Sequence, residues 1–131
     1  MNKIALPLVV LTVLALAQVP HSHAEDNITL TGEFVWTQRD NSGSLEAVFT
    51  PAGEGEWEVA FHFDFRGTGH VYSGTAKGSL SEGELSGEVR NENKKRTFVF
   101  GGEFKDGVFN GTHAETTGDR KQETGTLTLG S

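Results

Sequence analysis

The chain has 131 residues, with 18 acidic and 11 basic side chains, 17 glycines and no cysteine. This length fits a single domain. The formal charge of −7 argues against a nucleic-acid partner, because binding a phosphate backbone requires a basic face. The lack of cysteine excludes a disulfide framework, a thiolate nucleophile and a cysteine-ligated metal site.

The first 24 residues have the pattern of a secretory signal peptide. Lys3 supplies the positive charge, residues 4–17 form an uncharged apolar run, and Ser22 and Ala24 place small side chains at the −3 and −1 positions of a cleavage site. An uncleaved anchor is the alternative, but a run of about 14 residues is short of the roughly 20 that span a bilayer. We therefore expect residues 25–131 to form one exported domain, secreted or periplasmic, with no membrane span in the mature chain.

After the leader, polar and apolar residues alternate, and no segment has helical periodicity. The connections are short and contain Gly, Asn and Asp, which favour tight hairpin turns. Parallel strands would need crossovers of about a dozen residues. The sequence therefore predicts an antiparallel meander of about eight strands. The predicted strands span residues 28–37, 44–50, 56–66, 70–80, 84–91, 95–104, 108–116 and 122–129.

Short strands in this number are typical of an all-β, up-and-down barrel. Glycines inside the strands permit the sharp curvature that a small barrel needs. In strand number, turn length and an aromatic inner face, the pattern resembles small secreted barrels of the lipocalin and avidin kind. That resemblance implies a shape only, since a fold does not fix a function. An open two-sheet sandwich is the alternative.

Two segments repeat one pattern. Residues 78–87 and 102–111 share the form G-x-[LF]-x-[ED]-G-x-[LF]-x-G, and each copy predicts one hairpin. Two copies fall short of an open repeat array. The repeat aligns Phe109 with Leu85, so the odd positions of the seventh strand should face inward. His113 then takes the register position that Val89 holds in the other copy.

Alternation along each strand, with successive strands reversed, separates the inward side chains by polarity. The lower end collects apolar residues: Leu30, Phe49, Trp57, Leu80, Leu85, Phe104, Phe109, Leu127 and Leu129. The upper end collects aromatic and polar ones: Trp36, Phe65, His70, Tyr72, Arg96, His113, Glu115 and Glu123. This predicts an aromatic-walled, polar-rimmed mouth over an apolar floor, as in barrels that bind small molecules. The alternative is that these polar residues merely mark strand ends near water.

The leading hypothesis is binding of a small amphipathic or aromatic ligand at this mouth. Trp36, Phe65 and Tyr72 would pack on the ligand. Four side chains would orient its polar end: His70, Arg96, His113 and Glu115. The second hypothesis is a barrel filled by its own side chains, whose acidic outer face or exposed edge contacts another protein of unknown identity.

A third hypothesis is an enzyme that uses His113 and Glu115, or a metal site that adds His70 to them. This hypothesis is weaker, because the sequence contains no G-x-S-x-G nucleophile motif, no H-E-x-x-H zinc-binding motif and no phosphate-binding loop. We therefore assign no catalytic residue, no metal and no cofactor. Alternation places His62 and Asp64 on the outer face, and Arg66 joins this outer set. Residues 91–95 read as a solvated turn.

Overall fold

A computed structural model describes residues 27–91 and 96–131. The predicted signal peptide lies outside these residues. The strands are β1 (Ile28–Trp36), β2 (Asn41–Gly53), β3 (Glu56–Phe65), β4 (Thr68–Gly78), β5 (Gly83–Asn91), β6 (Arg96–Lys105), β7 (Val108–Thr117) and β8 (Arg120–Gly130). A 3-10 turn, Thr37–Arg39, follows β1. The described part of the chain contains no helix with the length and apolarity needed to cross a bilayer.

The eight strands form a closed antiparallel barrel in chain order. Closure is made by β1 and β8, which pair from Thr31↔Gly130 to Trp36↔Gly125. The predicted up-and-down barrel is therefore confirmed, and the open sandwich is wrong. Since every described strand has two neighbours, the exposed edge invoked for a protein partner is also absent from the described sheet.

Several strands extend beyond their predicted ends because their turns are tighter than the sequence indicated. The segment 40–43 was expected to be a loop, but Asp40 alone takes a left-handed conformation and Asn41 already pairs with Trp36. At Arg66-Gly67 and Asp106-Gly107 both residues have positive φ. Paired positive φ values match the twist of a two-residue hairpin turn.

The inward phase of each strand is close to that predicted. Phe49, Leu85, Phe109 and Leu129 are fully buried and form the floor of the barrel. Ile28, which alternation places on the inner face together with Leu30, is an exception at 38% exposed. It lies before Thr31, where the pairing of β1 with β8 begins, so no strand covers it on that side.

Glycines stand at inward positions where neighbouring strands approach closely. A Cβ at Gly32 would overlap the carbonyl oxygen of Thr128 on β8. A Cβ at Gly74 would likewise overlap the carbonyl oxygen of Glu88, and a Cβ at Gly125 would overlap that of Val35. These positions allow the sharp coiling that closes a barrel of this size.

Replacing Gly32 with alanine tests this closure. The added methyl overlaps backbone that cannot move without separating β1 from β8, so we expect Gly32→Ala to lower the free energy of unfolding by about 3 kcal/mol or more. Gly101→Ala is the matched control, since its Cβ would meet nothing nearer than the Ser86 Cβ at 3.5 Å. The control should stay within about 1 kcal/mol of wild type. Equal effects in urea denaturation would contradict the closed register.

Candidate functional site

A cavity opens at the upper end of the barrel, where β1, β3, β5 and β7 end. We call this opening the upper mouth. The residues that line the cavity are Phe34, Trp36, Leu45, Phe61, Phe63, Phe65, His70, Tyr72, Val89, Arg96, Phe98, Phe100, His113 and Leu127. Six predicted site residues are therefore brought together here: Trp36, Phe65, His70, Tyr72, Arg96 and His113. Glu115 and Glu123 do not line the cavity.

The cavity has a volume of about 110 Å³. Sites for drug-sized ligands measure roughly 300 Å³ or more, whereas an apolar cavity of about 150 Å³ holds benzene. The lumen below the cavity is filled by the floor residues. The site can therefore take a group about the size of one ring, with the rest of any ligand at the upper mouth.

The cavity wall is built of aromatic rings that brace one another. The Trp36 ring lies 5.5 Å from Phe98, edge to face, and 5.9 Å from Phe65. Phe63 stacks on His70 at 5.5 Å and on Tyr72 at 5.6 Å. Such ring pairs contribute roughly 0.5–1.5 kcal/mol each beyond the area that they bury. Mutual packing of this kind fixes the rings in place.

One donor in this wall is left unpaired. The indole Nε1 of Trp36 is buried and has no hydrogen-bond partner among residues 27–91 and 96–131. The other tryptophan differs, since Trp57 Nε1 donates to the Gly78 carbonyl at 3.0 Å at the lower end. A buried N–H without an acceptor costs roughly 1–3 kcal/mol. Trp36 therefore keeps a donor with unused capacity behind the cavity surface, and an acceptor reaches it only when the neighbouring rings shift.

His113 holds the barrel seam together. Its Nε2 lies 3.0 Å from the Val35 carbonyl of β1, and because a carbonyl only accepts, Nε2 carries the proton. Its Nδ1 lies 2.6 Å from Thr124 Oγ1 on β8. The ring passes over Gly125, where a Cβ would come within 2.9 Å of it. Both ring nitrogens are therefore engaged within the protein, and His113 offers a ligand only its ring surface.

The Arg96 guanidinium forms a two-pronged ion pair with Glu115, at 3.0 Å from Nε and 2.9 Å from Nη2. This bond lowers the pKa of Glu115 and raises that of Arg96. The Arg96 guanidinium also lies 5.1 Å from the Trp36 ring and 5.5 Å from the Phe98 ring. Glu115 thus sets the position of Arg96 against the cavity wall.

Asn91 contacts the cavity-lining Tyr72 and was missed from the sequence, where it read as the start of a solvated turn. It is 6% exposed and hydrogen-bonds Tyr72, whose pKa is raised by burial. Leu85, Val89 and Asn91 share one side of the strand, so alternation could have predicted that the Asn91 side chain faces inward. The turn at residues 92–95 lies outside the described residues.

Glu123 was predicted to face inward, and this orientation is wrong. The register shifts between His113 and Ala114, where His113 pairs with Gly125 but Ala114 pairs with Glu123. The extra residue, Thr124, turns inward and Glu123 turns out, where it is exposed. His62 and Asp64 are exposed on the outer face, as alternation indicated.

Two further arginines at the upper mouth were not identified as site residues from the sequence. The Arg39 guanidinium lies 5.4 Å from the Trp36 ring, and the Arg66 guanidinium lies 5.3 Å from the Phe65 ring. Arg66 was grouped with the outer residues. Both sit in or beside turns, where alternation gives no orientation.

The described residues contain no group of three or more His, Asp or Glu side chains placed to hold a metal ion. The three groups considered for such a site have separate contacts. His70 stacks on Phe63, His113 contacts Val35 and Thr124, and Glu115 binds Arg96. No arrangement of nucleophile and base accompanies them in the cavity wall.

Comparisons with protein-family models, with curated proteins and with solved structures gave no match for this chain. Function is therefore argued from the site itself.

Replacing His113 tests its place in the seam. Burial holds the pKa of His113 below its usual value, so the unfolded chain takes up a proton first as the pH falls below about 6.5. This imidazole therefore makes the folded state less stable as the pH drops. His113→Gln should lose about 1–2 kcal/mol of unfolding free energy at pH 7.5 and show a shallower decline below about pH 6.5. His62→Gln, at an exposed imidazole, is the control in urea titrations at several pH values. A wild-type pH profile in His113→Gln would contradict the assignment.

Proposed function

We propose that this protein is an exported binding protein for a small molecule that carries a ring-sized apolar group, which enters the cavity at the upper mouth. Export rests on the signal-peptide pattern of residues 1–24. Binding rests chiefly on one observation, the buried and unpaired indole N–H of Trp36 in the mainly aromatic wall of the cavity. Buried donors in native proteins are almost always satisfied, so an unpaired one requires an explanation.

A ligand acceptor explains this N–H better than a trapped water does. A buried water typically makes about three hydrogen bonds. Two of the polar groups that line the cavity beside Trp36 already have partners, since His113 contacts Val35 and Thr124, and Arg96 binds Glu115. A water beside Trp36 would thus have few groups to bond, whereas a ligand brings its own acceptor and covers the apolar wall.

The second candidate is a barrel without a ligand that contacts a protein through its acidic outer face. The observation in its favour is the small cavity volume, about 110 Å³, over a filled floor. In that case the cavity is a packing gap, and filling it should raise stability with no loss of function.

Filling the cavity separates the two candidates. Val89 lines the cavity, and Val89→Phe should occupy it. We expect benzyl alcohol to shift the Trp36 indole N–H signal in ¹H–¹⁵N spectra of the wild type, while the Trp57 indole signal stays in place. Val89→Phe should abolish the shift with the fold retained by circular dichroism.

The control is Val71→Phe, which adds the same ring at a side chain that is 51% exposed. It should bind benzyl alcohol like the wild type. No response of Trp36 in the wild type, together with a higher melting temperature for Val89→Phe, would favour the filled barrel.

A further inference from the structure

Three arginine side chains lie against the rings of the upper mouth. Arg39 and Arg96 place their guanidinium carbons 5.4 and 5.1 Å from the centre of the Trp36 ring. Arg66 lies 5.3 Å from the centre of the Phe65 ring. Cations at these distances are attracted by the ring electrons. The aromatic wall thus gathers positive charge around the opening of the cavity.

Most of this charge is not neutralised by neighbouring carboxylates. Arg96 forms the only ion pair found within the described ranges, with Glu115. Arg39 makes no ion pair with Glu115 and attracts that carboxylate only at longer range. This attraction contributes to the lowered pKa of Glu115. Arg66 has no carboxylate within 4.0 Å among these residues. Within the described ranges, Glu115 is therefore the one carboxylate that lies within 4.0 Å of any of these three guanidinium groups.

This local charge contrasts with the chain as a whole, which carries a formal charge of −7. Acidic residues are prominent at the lower end, in or beside the three turns there: Glu54, Glu56, Glu82, Glu84 and Asp106. The upper end also carries carboxylates, among them Asp40 and Asp119, but most of the described Arg and Lys side chains lie there as well. The net charge is therefore less negative at the end that carries the cavity. Such a field draws anions toward the upper mouth.

An aromatic-walled cavity often selects a cation, which would bind the ring faces. Here guanidinium groups already lie near the Trp36, Phe65 and Phe98 rings and would repel a second cation. The unpaired group in the wall is a donor, the Trp36 N–H, and it requires an acceptor. Charge and hydrogen bonding therefore favour the same kind of ligand.

We infer that the ligand is a small organic anion, a ring-sized apolar group bearing a carboxylate. The ring occupies the cavity, and Arg39 and Arg66 supply the positive charge around the carboxylate. A carboxylate oxygen accepts from Trp36 Nε1–H after the rings that cover this atom shift. This inference rests on the proposed function and specifies the ligand class for the same site. It adds two arginines to the residues that determine specificity.

Three probes with the same ring and different charge test this selectivity: phenylacetate, phenylacetamide and phenethylamine. Titrations followed by the Trp36 indole N–H signal, with the Trp57 indole as internal control, give each dissociation constant. A fragment of this size is expected to bind with a Kd of about 1 mM. We expect phenylacetate to bind about fivefold or more tightly than phenylacetamide, and phenethylamine to bind most weakly. Near 1 M salt, where the Debye length is about 3 Å, the difference in affinity between phenylacetate and phenylacetamide should shrink.

Variants assign the preference to the arginines. Arg66→Gln removes one exposed cation and should weaken phenylacetate about fivefold while leaving phenylacetamide unchanged. Lys105→Gln removes one cation at the lower end and should change neither constant. Trp36→Phe keeps a ring but removes the N–H, and should weaken both acceptor-bearing probes. Because this variant lacks the Trp36 indole signal, its titrations are followed by the backbone amide signals of Phe98 and His113, which line the cavity.

The proposed function and the anion inference are overturned by different results. Equal binding of phenylacetate and phenylacetamide would overturn the anion inference and leave the binding site standing. Tightest binding of phenethylamine would show a cation site and overturn it as well. No response of Trp36 to any probe up to about 10 mM would overturn the proposed function and the inference together.

Discussion

The pairing of β1 with β8 is the constraint on which the rest of the structure depends. It turns a meander into a closed lumen, so inward side chains from all eight strands share one interior. Closure at this small size demands glycine where strands approach most closely, as at Gly32 and Gly125. It also brings His113 of β7 within reach of Val35 on β1, across β8.

A closed barrel of eight strands has room for its own side chains or for one small ligand, and this chain divides the lumen between the two. Phe49, Leu85, Phe109 and Leu129 fill the lower half completely. The rings above them pack edge to face and leave a gap with Trp36 in its wall. Most of this aromatic wall is preorganised for the ring of a ligand, and only the rings that cover the Trp36 N–H need to shift for that donor to be reached.

Alternation and turn chemistry were sufficient to predict the strand order, the closed barrel and most of the inner face, because the two-residue period allows one inward phase per strand. The prediction failed where that period breaks. The bulge at Thr124 turned Glu123 outward, and no residue pattern marked it. Side chains in turns, such as Arg39 and Arg66, follow no alternation, so their contacts with the rings required the structure. The partners of His113 and Glu115 likewise depend on which strands closure makes adjacent.

A crystal structure of the protein isolated from its natural source, without removal of bound small molecules, would show whether the cavity holds a ligand. We expect electron density for a small molecule with its apolar part in the cavity and an acceptor atom within about 3.2 Å of Trp36 Nε1. A cavity closed by repacked side chains, with the Trp36 N–H bonded to an acceptor of the chain itself, would contradict this expectation.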